Sequence, residues 1–122
     1  MAKCVLTVDD SKTIRDMLKF TLAGAGFQVQ QAEDGVDGLR ALKAAGAVDI
    51  IITDINMPNM DGFEFIENVR RDAAYKSTPI LVLTTESGAD KKTRARAAGA
   101  TGWIVKPFDP QKLLDVIRKV SP

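Results

Sequence analysis

Short apolar runs alternate with helix-spaced apolar positions along nearly the whole chain, and that alternation restricts the fold more than any other feature. Cys4-Val5-Leu6-Thr7-Val8 is the first run, followed by a helical pattern with Ile14, Met17, Leu18, Thr21 and Leu22 on one face. Gly24 and Gly26 end that helix. Phe27-Gln28-Val29-Gln30 alternates as a half-exposed strand should. Asp34 caps a second helix with Val36, Leu39 and Leu42 inward. Val48 to Thr53 carries three consecutive isoleucines and reads as a strand buried on both faces. Asp61 caps a third helix with Phe63, Ile66 and Val69 inward, and Glu64 stands at the capping-box position. Pro79 to Leu83 is a further buried strand. Residues 88–98 have helical character, but their apolar content is alanine alone. Gly102 to Val105 is a short strand. Asp109 and Pro110 open the last helix, with Leu113, Ile117 and Val120 inward and Arg118 and Lys119 near its end.

Five strands alternating with five helices imply a parallel sheet covered on both faces, an α/β three-layer sandwich. The alternating strand belongs at an edge and the continuous apolar strands at the centre, which predicts the order 2-1-3-4-5, a flavodoxin-like (βα)5 arrangement. No repeat, linker or low-complexity tract interrupts residues 1–122, so one domain is expected, long enough to bury a core without disulfides. The lone cysteine, Cys4, has no internal partner, as suits a reducing cytoplasm. A net charge of +1 gives no general attraction to nucleic acid or membrane. No apolar run approaches the roughly 20 residues of a membrane span. The N-terminal segment turns acidic at Asp9 before a signal-peptide core forms. Histidine is absent, which excludes histidine catalysis, imidazole zinc sites and a phosphohistidine-donor role.

The polar residues fall at the strand ends. Asp9 and Asp10 follow the first strand, Asp54 the third, Thr84 and Thr85 the fourth, and Lys106 the fifth. Ligands of open parallel sheets bind outside the carboxyl ends of the strands, where strand order reverses. With strands 1 and 3 adjacent, the three aspartates share one crevice. Asp10 or Ser11 alone is explained by helix capping; three acids, a hydroxyl and a lysine on four strand ends are not. Clustered carboxylates repel unless a cation or protons intervene. An all-oxygen, partly hydrated site suits Mg²⁺, and no EF-hand spacing favours calcium. Beside such an ion Asp54 is a nucleophile for an aspartyl-phosphate, with Lys106 and the Thr84 hydroxyl on phosphoryl oxygens.

The pair Asp9-Asp10, the segment Asp54-Ile55-Asn56-Met57-Pro58-Asn59-Met60-Asp61-Gly62, Thr84, and Lys106-Pro107-Phe108 together resemble response-regulator receiver domains. The likeness spans the chain, and Thr84 and Lys106 lie 30 and 22 residues after Asp54 and Thr84, respectively. With no output domain following, it is most similar to the single-domain chemotaxis regulators. The resemblance implies that Asp54 is the phosphoacceptor and that Asp9, Asp10, Asp54 and the Asn56 backbone carbonyl hold Mg²⁺. It implies a cis bond at Lys106-Pro107 and a switch pair, Thr84 and Trp103, although tyrosine or phenylalanine is commoner at the latter position. Thr85 would narrow access to the phosphoryl group, while Asn56 and Glu86 would tune its hydrolysis. The weakly apolar helix 88–98, with Lys91, Lys92, Arg94 and Arg96 as a basic face, would shift on phosphorylation. Partners would then bind the α4-β5-α5 face, including Lys91, Lys92 and Trp103. A histidine kinase would be the phosphodonor, and the flagellar motor switch protein and a phosphatase the partners of a monomeric, cytoplasmic protein. A phosphate sink or phosphorelay intermediate is the alternative output.

Three other classes fit less well. Aspartate-nucleophile phosphatases carry a second acid two residues after the nucleophile, where this chain has Asn56. A flavin carrier of the same fold needs a Ser-, Thr- and Gly-rich loop after strand 1, and Asp9-Asp10 would repel its phosphate. A receiver that binds partners without phosphate has no need of the full acid–threonine–lysine set. The expectation is therefore a signalling protein that catalyses only its own phosphotransfer and dephosphorylation.

Overall fold

The computed structural model describes residues 3–121. Its elements run β1 (Cys4–Val8), α1 (Lys12–Gly24), β2 (Gln28–Ala32), α2 (Gly35–Ala45), β3 (Ile50–Thr53), α3 (Gly62–Arg71), a 3₁₀ turn (Ala73–Tyr75), β4 (Ile80–Thr84), α4 (Ala89–Ala98), β5 (Gly102–Val105) and α5 (Pro110–Val120). All strand pairs are parallel and the sheet order is β2-β1-β3-β4-β5, as the apolar patterns predict.

Each face of the sheet has its own core. Leu6, Val8, Ile51, Ile80 and Val82 pack under α2, α3 and α4 through Leu42, Phe65, Ile66, Val69 and Ala95. Val5, Ile50, Ile52, Leu81 and Leu83 pack under α1 and α5 through Leu18, Leu22, Leu113 and Ile117. The period-2 pleat sends consecutive residues of the central strands to opposite cores, which is why those strands are apolar apart from the buried threonines Thr7, Thr53 and Thr84.

Several boundaries differ from the sequence expectation. β2 starts at Gln28 because the Phe27 N–H closes back on the Leu22 carbonyl at 3.0 Å and Gly26, at φ 94°, turns the chain out of α1. β3 is shorter than Val48–Thr53, since Asp49 uses its carboxylate to accept the Cys4 N–H at 2.8 Å. β4 begins one residue later than Pro79 and includes Thr84. Met17 and Val36, expected inward, are 46% and 41% exposed. Leu18 and Leu22 alone on α1 are fully buried, so the inner stripe is narrower than the apolar pattern. Only Ala95 of α4 is buried, as its alanine-only apolar content foretold.

The caps hold as expected: Asp61 Oδ1 accepts the Glu64 N–H at 2.9 Å, and Asp109 Oδ1 accepts the Gln111 N–H at 2.9 Å. Ser11, not Asp10, caps α1, its Oγ accepting the Ile14 N–H at 3.3 Å. Asp34 both caps α2, accepting the Asp37 N–H at 2.8 Å, and accepts the Asn59 side-chain amide at 2.7 Å. The Asp37 N–H, then the Asn59 amide, hold the Asp34 carboxyl below its ordinary value. A depressed folded pKa adds stability above the unfolded value, about 3.9, that is lost as pH falls through the folded one. Asp34→Ala should therefore lower unfolding free energy by about 1 kcal/mol at neutral pH. Urea denaturation should show that difference closing as the solution is acidified below about pH 4.

Opposite the carboxyl ends of the strands, the first and last described residues meet. Lys3 Nζ donates to the Ser121 carbonyl at 2.8 Å and to its hydroxyl at 3.0 Å.

Candidate functional site

Strand register builds the site. Val8 pairs with Thr53, so the next residues, Asp9 and Asp54, leave the sheet side by side, and the Asp54 N–H donates to the Val8 carbonyl at 2.9 Å. Thr84 pairs with Val105, and the following Lys106 donates its N–H to the Thr84 carbonyl at 2.7 Å. Val5, Ile52 and Ile104 belong to the α1/α5 core, and Asp9, Asp54 and Lys106 continue their parity. The pleat thus places three charged residues from three strands on one side of one crevice.

Lys106 Nζ bridges the two buried acids, at 2.8 Å from Asp9 Oδ2 and 2.9 Å from Asp54 Oδ2. Asp9 is 1% exposed and Asp54 8%, while Asp10 faces solvent. Carboxylate oxygens of all three acids lie within 4.8 Å of one another. Asp9 Oδ1 accepts the Ser11 N–H at 2.9 Å, and Asp54 Oδ1 accepts the Ile55 N–H. Burial pushes the Asp9 carboxyl above its ordinary value; the Lys106 ammonium and the Ser11 N–H offset this only in part. For Lys106 burial is again the largest effect and lowers the ammonium pKa, but the bonds to Asp54 and Asp9 together outweigh it and leave the group raised. The donor set is oxygen only, partly buried and rich in negative charge, which fits a hard divalent cation such as Mg²⁺.

Thr84 is fully buried, and its hydroxyl accepts the Glu86 N–H at 3.3 Å. The Trp103 indole N–H donates to the Glu86 carbonyl at 3.1 Å. Asn56 Nδ2 donates to Glu86 Oε1 at 3.1 Å, and Lys91 Nζ meets the same oxygen at 2.9 Å. Glu86 is therefore the centre of the β4–α4 loop, a role its place in a polar loop sequence did not disclose. Thr85 is exposed, and Lys106-Pro107 is cis.

The basic side chains of α4 do not form one face. Lys92 and Arg96, one turn apart, line a shallow groove with Trp103 on the β5 side. Lys91 turns to Glu86, and Arg94 lies 4.0 Å over the Phe63 ring on the α3 side.

Gly62 went unremarked as a positioning residue in the sequence. A Cβ there would fall 2.2 Å from the Asp54 carbonyl oxygen and 2.8 Å from Ile55 Cα. The start of α3 rests directly on the backbone of Asp54 and Ile55. A glycine after a capping Asp61 was the signal that could have revealed it.

The sheet order thus places three acids and a lysine at its switch point. The response regulator receiver domain model matches residues 5–118, and the chain belongs to that family of two-component signalling proteins. It is 41% identical over 117 residues to chemotaxis protein CheY1 of Helicobacter pylori, covering 95% of this chain and 94% of that protein. A CheY homolog of Campylobacter jejuni is also 41% identical, covering 95% and 90%. The structure of Vibrio cholerae chemotaxis protein CheY4 is similar with a TM-score of 0.92 at 50% identity, covering 98% of this chain and 99% of that one. No described helix is long and apolar enough to cross a membrane.

Proposed function

We propose that residues 1–122 act as one receiver domain in which Asp54 accepts a phosphoryl group from the phosphohistidine of a histidine kinase. The observation that carries this reading is the Lys106 ammonium held between Asp9 and Asp54, with Asp10 in reach. Asp54 Oδ2 displaces the imidazole nitrogen at phosphorus: the new O–P bond forms as the N–P bond breaks, and the electron pair leaves with the histidine. Lys106 follows the phosphoryl oxygens from its place against Asp54. The Thr84 hydroxyl, which accepts the Glu86 N–H before transfer, turns to donate to another of those oxygens. Asp9, Asp10, Asp54 and the Asn56 carbonyl hold Mg²⁺, which when bound supplies positive charge to offset that of the transferring group. Positioning and electrostatics provide most of the rate, as in other phosphoryl transfers.

When Thr84 turns toward the phosphoryl group, the Glu86 N–H loses its acceptor and the loop joined to Trp103 and Lys91 is free to rearrange. Reversing a 1:99 equilibrium takes about 5.5 kcal/mol of differential stabilisation, within reach of a lysine pair, a threonine bond and a divalent ion in a partly dry crevice. α4 is the element to move because it buries only Ala95. Its change alters the α4-β5-α5 face, where Lys92 and Trp103 line a groove and Lys91 is released from Glu86. Similarity to chemotaxis proteins supports the flagellar motor switch as the partner, a phosphatase as the terminator of the signal, and a cytoplasmic, monomeric carrier.

Incubation with acetyl phosphate and Mg²⁺ tests this directly. Intact mass should rise by one phosphoryl group while Trp103 fluorescence changes, and chelating Mg²⁺ should abolish both. A mass that does not change in the presence of Mg²⁺ would sink the reading.

Trp103→Phe keeps an aromatic ring, a smaller one, but removes the indole bond to Glu86. It should lower unfolding free energy by roughly 1 kcal/mol in urea, followed by circular dichroism because no other tryptophan exists. Phosphorylation should still occur, with a smaller difference in partner affinity between the two states.

A further inference from the structure

An open cleft of about 450 Å³ lies between the C-terminal half of α3 and α4, lined by Glu67, Arg70, Arg71, Arg94, Ala97 and Ala98. It is on the opposite side of α4 from the groove lined by Lys92, Arg96 and Trp103. Three guanidinium groups share it, and among the described residues none of them is in an ion pair. Each is instead positioned by neutral groups. Arg70 donates to the carbonyls of Gly99, Tyr75, Lys76 and Thr78 at 2.7–3.2 Å. Arg71 Nη1 donates to Asn68 Oδ1 at 2.8 Å. Arg94 is placed by the Phe63 ring.

This arrangement is not a consequence of an overall basic protein, because the net charge is +1. Carbonyl, amide and ring partners orient a guanidinium without cancelling its charge, so the cleft keeps a local positive field. Its wall along α4 is small, Ala97 and Ala98, which lets another backbone approach closely.

We infer that this cleft is a docking surface for an acidic helix of a partner protein, whose carboxylates meet Arg71 and Arg94 while its small residues pack on Ala97 and Ala98. Arg70 fixes the cleft by tying α3 to the end of α4 and adds charge, but its N–H groups are largely committed. Glu67, the one acid in the lining, favours a partner carrying a basic group beside its acids. A nucleic acid fits less well: no aromatic residue lines the cleft, so no ring is offered for base stacking.

The test is NMR titration of the isotope-labelled full chain with a synthetic Glu- and Ala-rich helical peptide carrying a single lysine. Amide shifts should centre on Arg71, Ala97 and Ala98, and binding should weaken as salt rises. Arg71→Gln, at an exposed position, should weaken binding about fivefold, and Lys92→Gln should leave it unchanged. Arg94→Gln should act like Arg71→Gln, but the loss of its ring contact makes Arg71 the deciding variant. The proposal is overturned by shifts confined to the Lys92–Trp103 groove, by full affinity in Arg71→Gln, or by no shifts at millimolar peptide. A single-stranded oligonucleotide of equal charge that binds the cleft more tightly would also overturn the assignment to a protein partner.

Discussion

Asp54→Ala should take phosphoryl incorporation from acetyl phosphate and Mg²⁺ from one group per chain to none. The neighbouring acids are poor substitutes. Asp9 is more deeply buried and engaged by both the Ser11 N–H and Lys106, whereas Asp10 lies in solvent. The substitution has two opposed effects on stability. It strips the Ile55 N–H of its acceptor, costing about 1–3 kcal/mol if that group stays dry. It also removes one of two buried carboxylates that repel across the Lys106 ammonium. The variant should therefore stay folded, which circular dichroism verifies, so that loss of the mass increment reports on chemistry. A phosphoryl group retained by Asp54→Ala would show that the acceptor lies elsewhere.

Gly62→Ala should be among the most damaging single-methyl additions in the chain. Helix propensity alone would favour alanine at this first helical residue by up to about 1 kcal/mol. Against that, the new Cβ would stand 2.2 Å from the Asp54 carbonyl oxygen, a backbone atom fixed by the end of β3. Neither side can yield without moving α3 or the Asp54–Ile55 segment. A net loss of roughly 2–3 kcal/mol is expected, with a melting temperature lower by on the order of 10 °C. Because the displaced atom belongs to Asp54, phosphorylation should also slow in the protein that remains folded. Gly24→Ala supplies the contrast: nothing lies within 4 Å of its Cβ, so thermal denaturation should show no loss or a small gain.

The sheet and its order were legible because burial on both faces forces continuous apolar strands, and Ile50-Ile51-Ile52 has no alternative use. Strand ends were less so: whether Val48 or Phe27 joins a strand depends on the Asp49 and Leu22 bonds that compete for the backbone. The acids and Lys106 could be placed together because each immediately follows a strand, and register does the rest. Which residue tethers which was hidden. The Glu86 hub, the Asp34–Asn59 bond and the Arg94–Phe63 contact join segments far apart in sequence through ordinary polar residues, with no periodicity to announce them. The basic residues of α4 read as one face by composition; the 100° step between neighbours divides them between two sides.

The Lys3–Ser121 link has a practical corollary for engineering. Since head and tail of the fold touch at the pole remote from the aspartates, a short tether closing them, with new ends opened in an exposed loop, should yield a circular permutant with the charged pocket undisturbed. A reporter fused at either extremity would likewise hang from that same corner.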